Sequence, residues 1–154
     1  MTVTEGDAAP AFEMAATGDR LVSLIGQRGQ PFVLYFYPKA DTPGCTREAC
    51  AFQEALPVLG RTGVSVIGVS KDKLPALEKF AAKYGLTFPL ASDTTGTAEA
   101  FGTWVEKSMY GRKYMGMERS TFLIDGAGRI ARAWRKISVP GHAAAVAAAV
   151  AALG

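Results

Sequence analysis

Histidine and cysteine are both scarce in this chain, with one of the first and two of the second among 154 residues. Two cysteines are too few for the disulfide lattice of a small secreted scaffold. One histidine, His142, leaves any cysteine–histidine dyad or imidazole metal cluster dependent on a single remote residue, and its position near a helix start reads as surface. Long apolar runs are missing too. The longest, residues 143–153, is mostly alanine and falls well short of the ~20 residues that span a bilayer, so no membrane partner is expected. The first seven residues carry no basic stretch ahead of an apolar one, so no secretory signal is expected. A cytoplasmic address with thiols kept reduced at rest follows from that reading. Charge of one sign is not in excess either: 17 Lys and Arg stand against 14 Asp and Glu, a net charge of +3. The one basic cluster, Arg129, Arg132, Arg135 and Lys136, lies in an extended segment where alternate residues face opposite ways, so it forms no continuous stripe and no nucleic-acid partner is expected. Repeats, low-complexity tracts and Pro/Ser-rich linkers are absent, and the 49% hydrophobic content suits one domain over residues 1–154.

What is present is an alternation of strand and helix patterns. Residues 12–24 read as a hairpin turning at Thr17-Gly18-Asp19. Residues 32–37, Phe-Val-Leu-Tyr-Phe-Tyr, form an unbroken β-branched and aromatic run, the mark of a strand buried on both faces. A helical pattern follows Gly44, then a second buried run at residues 64–69, an order that demands a parallel crossover. A helix is expected over 72–84, a short strand over 88–91 and a short helix over 95–101. Residues 120–124 and 130–134 flank Asp125-Gly126-Ala127-Gly128 and predict an antiparallel hairpin, and an alanine-rich helix closes the chain from about Gly141. Parallel and antiparallel strands with helices on both faces make a mixed α/β sheet.

Chemistry in such a sheet belongs where a buried parallel strand gives way to a helix, because free backbone N–H groups point outward there. Cys45 occupies that position. Thr42-Pro43-Gly44 before it is helix-start grammar, with Thr42 as N-cap and Pro43 at the first helical position. The macrodipole favours a thiolate in this first turn by ~0.3 to 1 kcal/mol, ~2 if partly buried. A guanidinium at ~4.5 Å adds roughly 3 to 4 kcal/mol at an effective dielectric of about 20, before desolvation. Arg119, immediately before the buried run at 120–124, is the candidate; a solvated strand-end charge is the other reading of it. Cys50 lies five residues on in the same helix. Two cysteines in such a chain are by default small buried hydrophobes, and Cys-x4-Cys is neither the Cys-x2-Cys redox motif nor a zinc half-site. Glu48, one turn into the helix, reads as a charge complementing the dipole.

Tyr35-Phe36-Tyr37-Pro38-Lys39-Ala40-Asp41-Thr42-Pro43-Gly44-Cys45-Thr46-Arg47-Glu48-Ala49-Cys50 resembles the active-site segment of peroxiredoxins, and more narrowly that of the bacterioferritin-comigratory, or Q-type, subfamily. The family signature Pro-x3-Thr-x2-Cys falls on Pro38, Thr42 and Cys45, the subfamily's resolving cysteine on Cys50 and the family's conserved arginine on Arg119. The opening residues 6–12 and the segments 110–114 and 119–125 are similar to other landmarks of the subfamily. Ala40 departs from it, standing where an acidic residue is common. The resemblance implies a thioredoxin-like fold with an N-terminal hairpin and peroxidase activity without metal, haem or other cofactor. It also implies reduction by thioredoxin or a glutaredoxin-like dithiol, and a monomer, since such chains resolve within themselves. In the roles it implies, Cys45 attacks the hydroperoxide, Arg119 and nearby N–H groups stabilise the leaving oxygen, Thr42 accepts the proton or holds the peroxide by its hydroxyl, Pro38 shields the site and Cys50 resolves the sulfenic acid.

Helix geometry adds a constraint. Residues i and i+5 are about 8.7 Å apart at Cα in a regular helix, whereas a disulfide needs ~4.4 to 6.8 Å. Cys45 lies on a core-facing stripe with Ala49, Phe52 and Leu56, and Cys50 lies off it. A Cys45–Cys50 bond therefore requires the first turns of the helix to unwind. Two other readings stay open at this point: a protein thiol–disulfide oxidoreductase, and a non-enzymatic redox-sensing module.

Overall fold

The computed structural model describes residues 3–153. In chain order the elements are β1 (Glu13–Ala16), β2 (Arg20–Ser23), β3 (Phe32–Phe36), α1 (Pro43–Gly60), β4 (Ser65–Ser70), α2 (Leu74–Tyr84), β5 (Leu90–Ser92), α3 (Thr97–Phe101), β6 (Trp104–Met109), β7 (Arg112–Met117), β8 (Ser120–Ile124), β9 (Ile130–Trp134) and α4 (His142–Leu153). Seven strands form one sheet in the order β2-β1-β5-β4-β3-β8-β9. The apolar run of β3 is buried throughout because it is central: it pairs in parallel with β4, with α1 as the crossover, and antiparallel with β8. The β1–β2 hairpin joins the far edge through a single antiparallel pairing of Ala16 with Ala91 of β5.

The alternation along β3 divides the core in two. Val33, Tyr35 and Tyr37 face α1, α2 and α4, where they meet Phe52, Leu59, Leu77, Phe80 and Val146. Phe32, Leu34 and Phe36 face the opposite layer, with Phe12, Phe101 and Met117. Both faces of one strand thus hold large apolar side chains, which fixes its depth and hence the level at which its C-terminal end opens into the following loop. The alanines of α4 let that helix lie against α1, with Val146, Ala149 and Val150 buried.

Two features depart from the sequence reading. Residues 104–117, where the sequence shows no strand pattern, form a separate two-stranded sheet, β6–β7. Its sequence signal was a two-residue turn: Tyr110 and Gly111 both have positive φ, 52° and 77°, as the tightest hairpin turn requires. Its strands are mostly exposed, so no alternation of core and surface announced them. The basic cluster is also not uniformly solvated, since Arg135 turns inward and donates to the carbonyls of Val3 and Phe101 at 2.8 and 3.0 Å.

Candidate active site

The loop between β3 and α1 is held from below. Ala40 N–H donates to Asp72 Oδ2 at 2.8 Å, which ties the loop to the segment between β4 and α2. Asp41 sits at φ +60° and is tied to α2 by Tyr84 Oη at 2.6 Å and Lys83 Nζ at 3.0 Å. Those hydrogen bonds, Tyr84's foremost, hold its carboxyl below the usual range. Pro38, expected to shield the site, is exposed at the end of the strand.

Thr42 is the N-cap residue of α1 by position, with extended backbone, but its side chain does not cap. Its hydroxyl donates instead to Lys39 O at 2.9 Å, which leaves the oxygen free to accept. Pro43 has no N–H, and the first intrahelical bond runs from Thr46 N–H to Thr42 O. Among the described residues the N–H groups of Gly44 and Cys45 therefore have no partner and mark the positive end of the helix.

Cys45 is 1% exposed. Arg119 Nη2 lies 3.3 Å from its Sγ, and Nη1 of the same guanidinium donates to Glu48 Oε1 at 2.6 Å. Of the two readings of Arg119, the structure selects the one at the cysteine: its side chain is 16% exposed and is not a solvated strand end. Gly44 permits this approach, because a Cβ there would stand 3.3 Å from Nη2. Cys45, Ala49 and Phe52 are buried on the core face of α1 and Leu56 packs partly against it, while Cys50 is partly exposed off that face. Both thiols are free and belong to one unbroken helix.

Glu48 corrects the sequence reading. It is 1% exposed rather than a solvated partner of the helix dipole, and its Oε2 is buried without a hydrogen-bond partner. Burial pushes its carboxyl up to about 7, against the pull of Arg119 in the other direction. The available signal was its spacing from Cys45, three residues on and so on the same face. His142 is the second correction. It was expected at the surface and is 6% exposed, its Nε2 2.8 Å from Thr121 Oγ1 and its ring edge-on to Phe52 and Trp134. Burial, reinforced by Arg119, pushes it down to about 4, so it is neutral at neutral pH. Its polar partner is Thr121 of β8, not a cysteine. Beneath the site Tyr35 and Tyr37 present buried hydroxyls with no partner, and burial raises both above the usual phenol range.

The arrangement joins a buried thiol, two free N–H groups and a hydroxyl acceptor of one loop and helix start with a guanidinium brought from between β7 and β8. It suits a nucleophile attacking a small polar electrophile whose leaving atom becomes negative. Among the described residues no three His, Cys, Asp or Glu side chains group as metal ligands.

The model of the AhpC/TSA family matches residues 5–133. Peroxiredoxin Bcp of Bacillus subtilis is 43% identical over 145 residues, covering 94% of this chain and 92% of its own. Among solved structures, peroxiredoxin Q of Xanthomonas campestris superposes with a TM-score of 0.89 at 39% identity, over 99% of this chain and 96% of that one. A structure of the bacterioferritin comigratory protein from the same organism, studied for alkyl peroxide reduction through trapped intermediate and ligand complexes, gives 0.90 at 38% identity, over 99% and 98%.

Proposed function

The chain belongs to the AhpC/TSA family as a peroxiredoxin of the Bcp, or Q-type, group, and from that premise we propose that Cys45 is its peroxidatic cysteine and Cys50 its resolving cysteine. It is a thiol peroxidase with the thioredoxin-like fold and N-terminal hairpin that the resemblance implied, acting on a peroxide with electrons from a thiol reductant. The observation that carries the residue assignment is the 3.3 Å contact between Arg119 Nη2 and Cys45 Sγ at the start of α1.

Cys45 thiolate attacks the terminal oxygen of the hydroperoxide; a sulfur–oxygen bond forms and the oxygen–oxygen bond breaks. The peroxide proton and the leaving oxygen depart together as water or an alcohol, leaving a sulfenic acid once sulfenate and solvent exchange a proton. Charge on the leaving oxygen is met by Arg119 and the free N–H groups of Gly44 and Cys45. Thr42, its own proton committed to Lys39 O, accepts a hydrogen bond from the peroxide O–H. Pro38 closes the loop from the outside by bulk. Cys50 then displaces hydroxide from the Cys45 sulfenic acid to give an intramolecular disulfide, which a thioredoxin or glutaredoxin-like dithiol reduces. A monomer in the cytoplasm suits resolution within one chain and a dithiol donor; among the described residues no helix is long and apolar enough to cross a membrane.

A coupled assay with hydrogen peroxide, thioredoxin, its reductase and NADPH tests the assignment. Steady NADPH consumption is expected in the wild type and none in Cys45→Ser. Disulfide exchange with proteins and no peroxide turnover would favour the oxidoreductase reading, and a single oxidation without turnover the sensing module.

A further inference from the structure

One guanidinium at the cysteine serves two acids. Arg119 donates through Nη2 to Cys45 and through Nη1 to Glu48, both on the first turns of α1. Among the described residues no other side chain from 43 to 52 makes a hydrogen bond or ion pair. The next anchor is Gln53, whose amide exchanges bonds of 2.9 Å with Thr87, beside Phe52 stacked on Tyr35. Among the described residues, Arg119 is therefore the one side-chain polar tie on the turns that must open for Cys50 to reach Cys45, beside the apolar packing of Cys45 and Ala49.

We propose that Glu48 is a positioning residue that latches α1 closed through Arg119 after Cys45 has been oxidised, and so sets how long the sulfenic acid survives before Cys50 reaches it. This rests on the peroxidase reading above. Peroxide attack converts the thiolate into a neutral sulfenic acid, so Arg119 loses one of its two counter-charges. Among the described residues Glu48 is then the only anion left to a mostly buried cation, and a buried charge stripped of its partner is strongly disfavoured. The carboxylate thereby keeps both guanidinium and helix in place. Once the helix opens, Cys50 thiolate attacks Cys45 Sγ, the sulfur–oxygen bond breaks, and the departing hydroxide takes a proton to become water. While it stays closed, a sulfenic acid that loses its proton can be oxidised by a second peroxide, which gives up one oxygen to form the sulfinate and leaves as water or an alcohol.

The same latch loosens in acid. The groups facing Glu48 are Cys45 on its own helix, Tyr35 on β3, Tyr37 just after it, and Arg119 ahead of β8, with His142 of α4 facing Arg119. The two phenols stay protonated and His142 stays neutral near pH 7, which leaves the carboxyl and the guanidinium as the charged pair once the thiolate is gone. Glu48 takes up a proton as the pH falls through about 7, and the ion pair becomes a neutral hydrogen bond.

The test compares wild type with Glu48→Gln, which keeps the shape and an acceptor for Nη1. Each reduced protein is mixed with one equivalent of hydrogen peroxide, quenched with dimedone over time and read by mass spectrometry. The sulfenic acid is expected to decay about tenfold faster in Glu48→Gln at about pH 8.5, the difference between a charge-assisted and a neutral hydrogen bond. The ratio of the two rates, which cancels the thiolate population of Cys50, should approach one at about pH 5.5, where Glu48 is protonated. Equal decay at the higher pH, or a ratio that does not change with pH, overturns the latch. A second measurement needs no change at Glu48. In Cys50→Ser carrying the Cys45 sulfenic acid, amide protection over residues 46–52, corrected for intrinsic exchange, should fall as the pH is lowered across that range; pH-independent protection overturns the proposal. A wild type that forms neither the sulfenic acid nor the intramolecular disulfide overturns the peroxidase reading instead.

Discussion

From Phe52 onward α1 is held by apolar packing: Phe52 stacks on Tyr35 at 4.7 Å, and Leu59 is fully buried in the layer that α4 completes with Val146 and Val150. Ahead of Phe52 only Cys45 and Ala49 add to that packing, and the polar hold is a guanidinium from another segment, reaching a thiol and a carboxyl. Apolar contacts do not change when a sulfur is oxidised. The charge balance at Arg119 does. One helix thus joins a half that is indifferent to redox state to a half whose anchor depends on it, and the two cysteines lie in the second half.

The largest expected effect is at the nucleophile. Cys45→Ser should abolish peroxide consumption, whereas Cys50→Ser should react once and accumulate a sulfenic acid that dimedone traps; a first turnover at the wild-type rate in Cys45→Ser would sink the assignment. Next comes the shared anchor. Arg119→Met should slow peroxide attack by a factor on the order of a hundred or more, the scale of losing one electrostatic stabiliser, measured by stopped flow under single turnover. An unchanged rate across pH would show that the contact at Sγ is only structural.

One buried acid and one buried base sharpen the same contrast through stability. His142 is pushed down to about 4 from 6.5, so the unfolded chain binds more protons between those values; this contribution is present above pH 6.5 and lost as the pH falls toward 4. Glu48 is pushed up to about 7 from 4.5, so the folded chain binds more protons, and stability falls as the pH rises through that window. The two slopes oppose each other between pH 4.5 and 6.5. Denaturant titrations of the reduced wild type should be nearly flat there, Glu48→Gln should gain stability with rising pH, and His142→Gln should lose it. Each slope corresponds to about 3 kcal/mol over its full window. Parallel curves for all three proteins would contradict both shifts.

The smallest effect is at Gly44. Alanine would improve helix propensity by up to ~1 kcal/mol, yet its Cβ would stand 3.3 Å from Arg119 Nη2 and displace the guanidinium by a few tenths of an ångström. Gly44→Ala should therefore be at least as stable as wild type and slower in peroxide attack, by about tenfold or less. Wild-type kinetics would show that the guanidinium has slack.

The pattern of what could be read in advance follows from where the determining contacts lie. β3 and β4 were legible because continuous apolar runs mean burial on both faces, and the start of α1 because Thr42-Pro43-Gly44 is a local signal. Cys45 could be placed at the helix start for the same reason. For Glu48 the spacing from Cys45 pointed to the same helix face, but its partner there, Arg119, lies 71 residues away and was not legible locally. His142 was misread because its neighbours are alanines, which signal a helix but not how closely it docks. The direction of the Thr42 hydroxyl was likewise invisible, since capping and bonding to Lys39 O use the same residue in the same place. The β6–β7 hairpin escaped because its exposed strands obey no burial pattern, leaving only the Tyr110-Gly111 turn to reveal it.

Amide exchange along α1 in the reduced and the peroxide-oxidised protein tests the difference between its two halves most directly. On oxidation, amides of residues 46–52 should lose protection as the first turns unwind to bring Cys50 to Cys45, while those of residues 53–60 should keep the protection they have in the reduced protein. Equal protection of both segments in the two states would contradict this account, leaving an intermolecular disulfide or a different resolving group. Loss of protection along the whole helix would contradict it as well, because the apolar half would then not be independent of the redox state of Cys45.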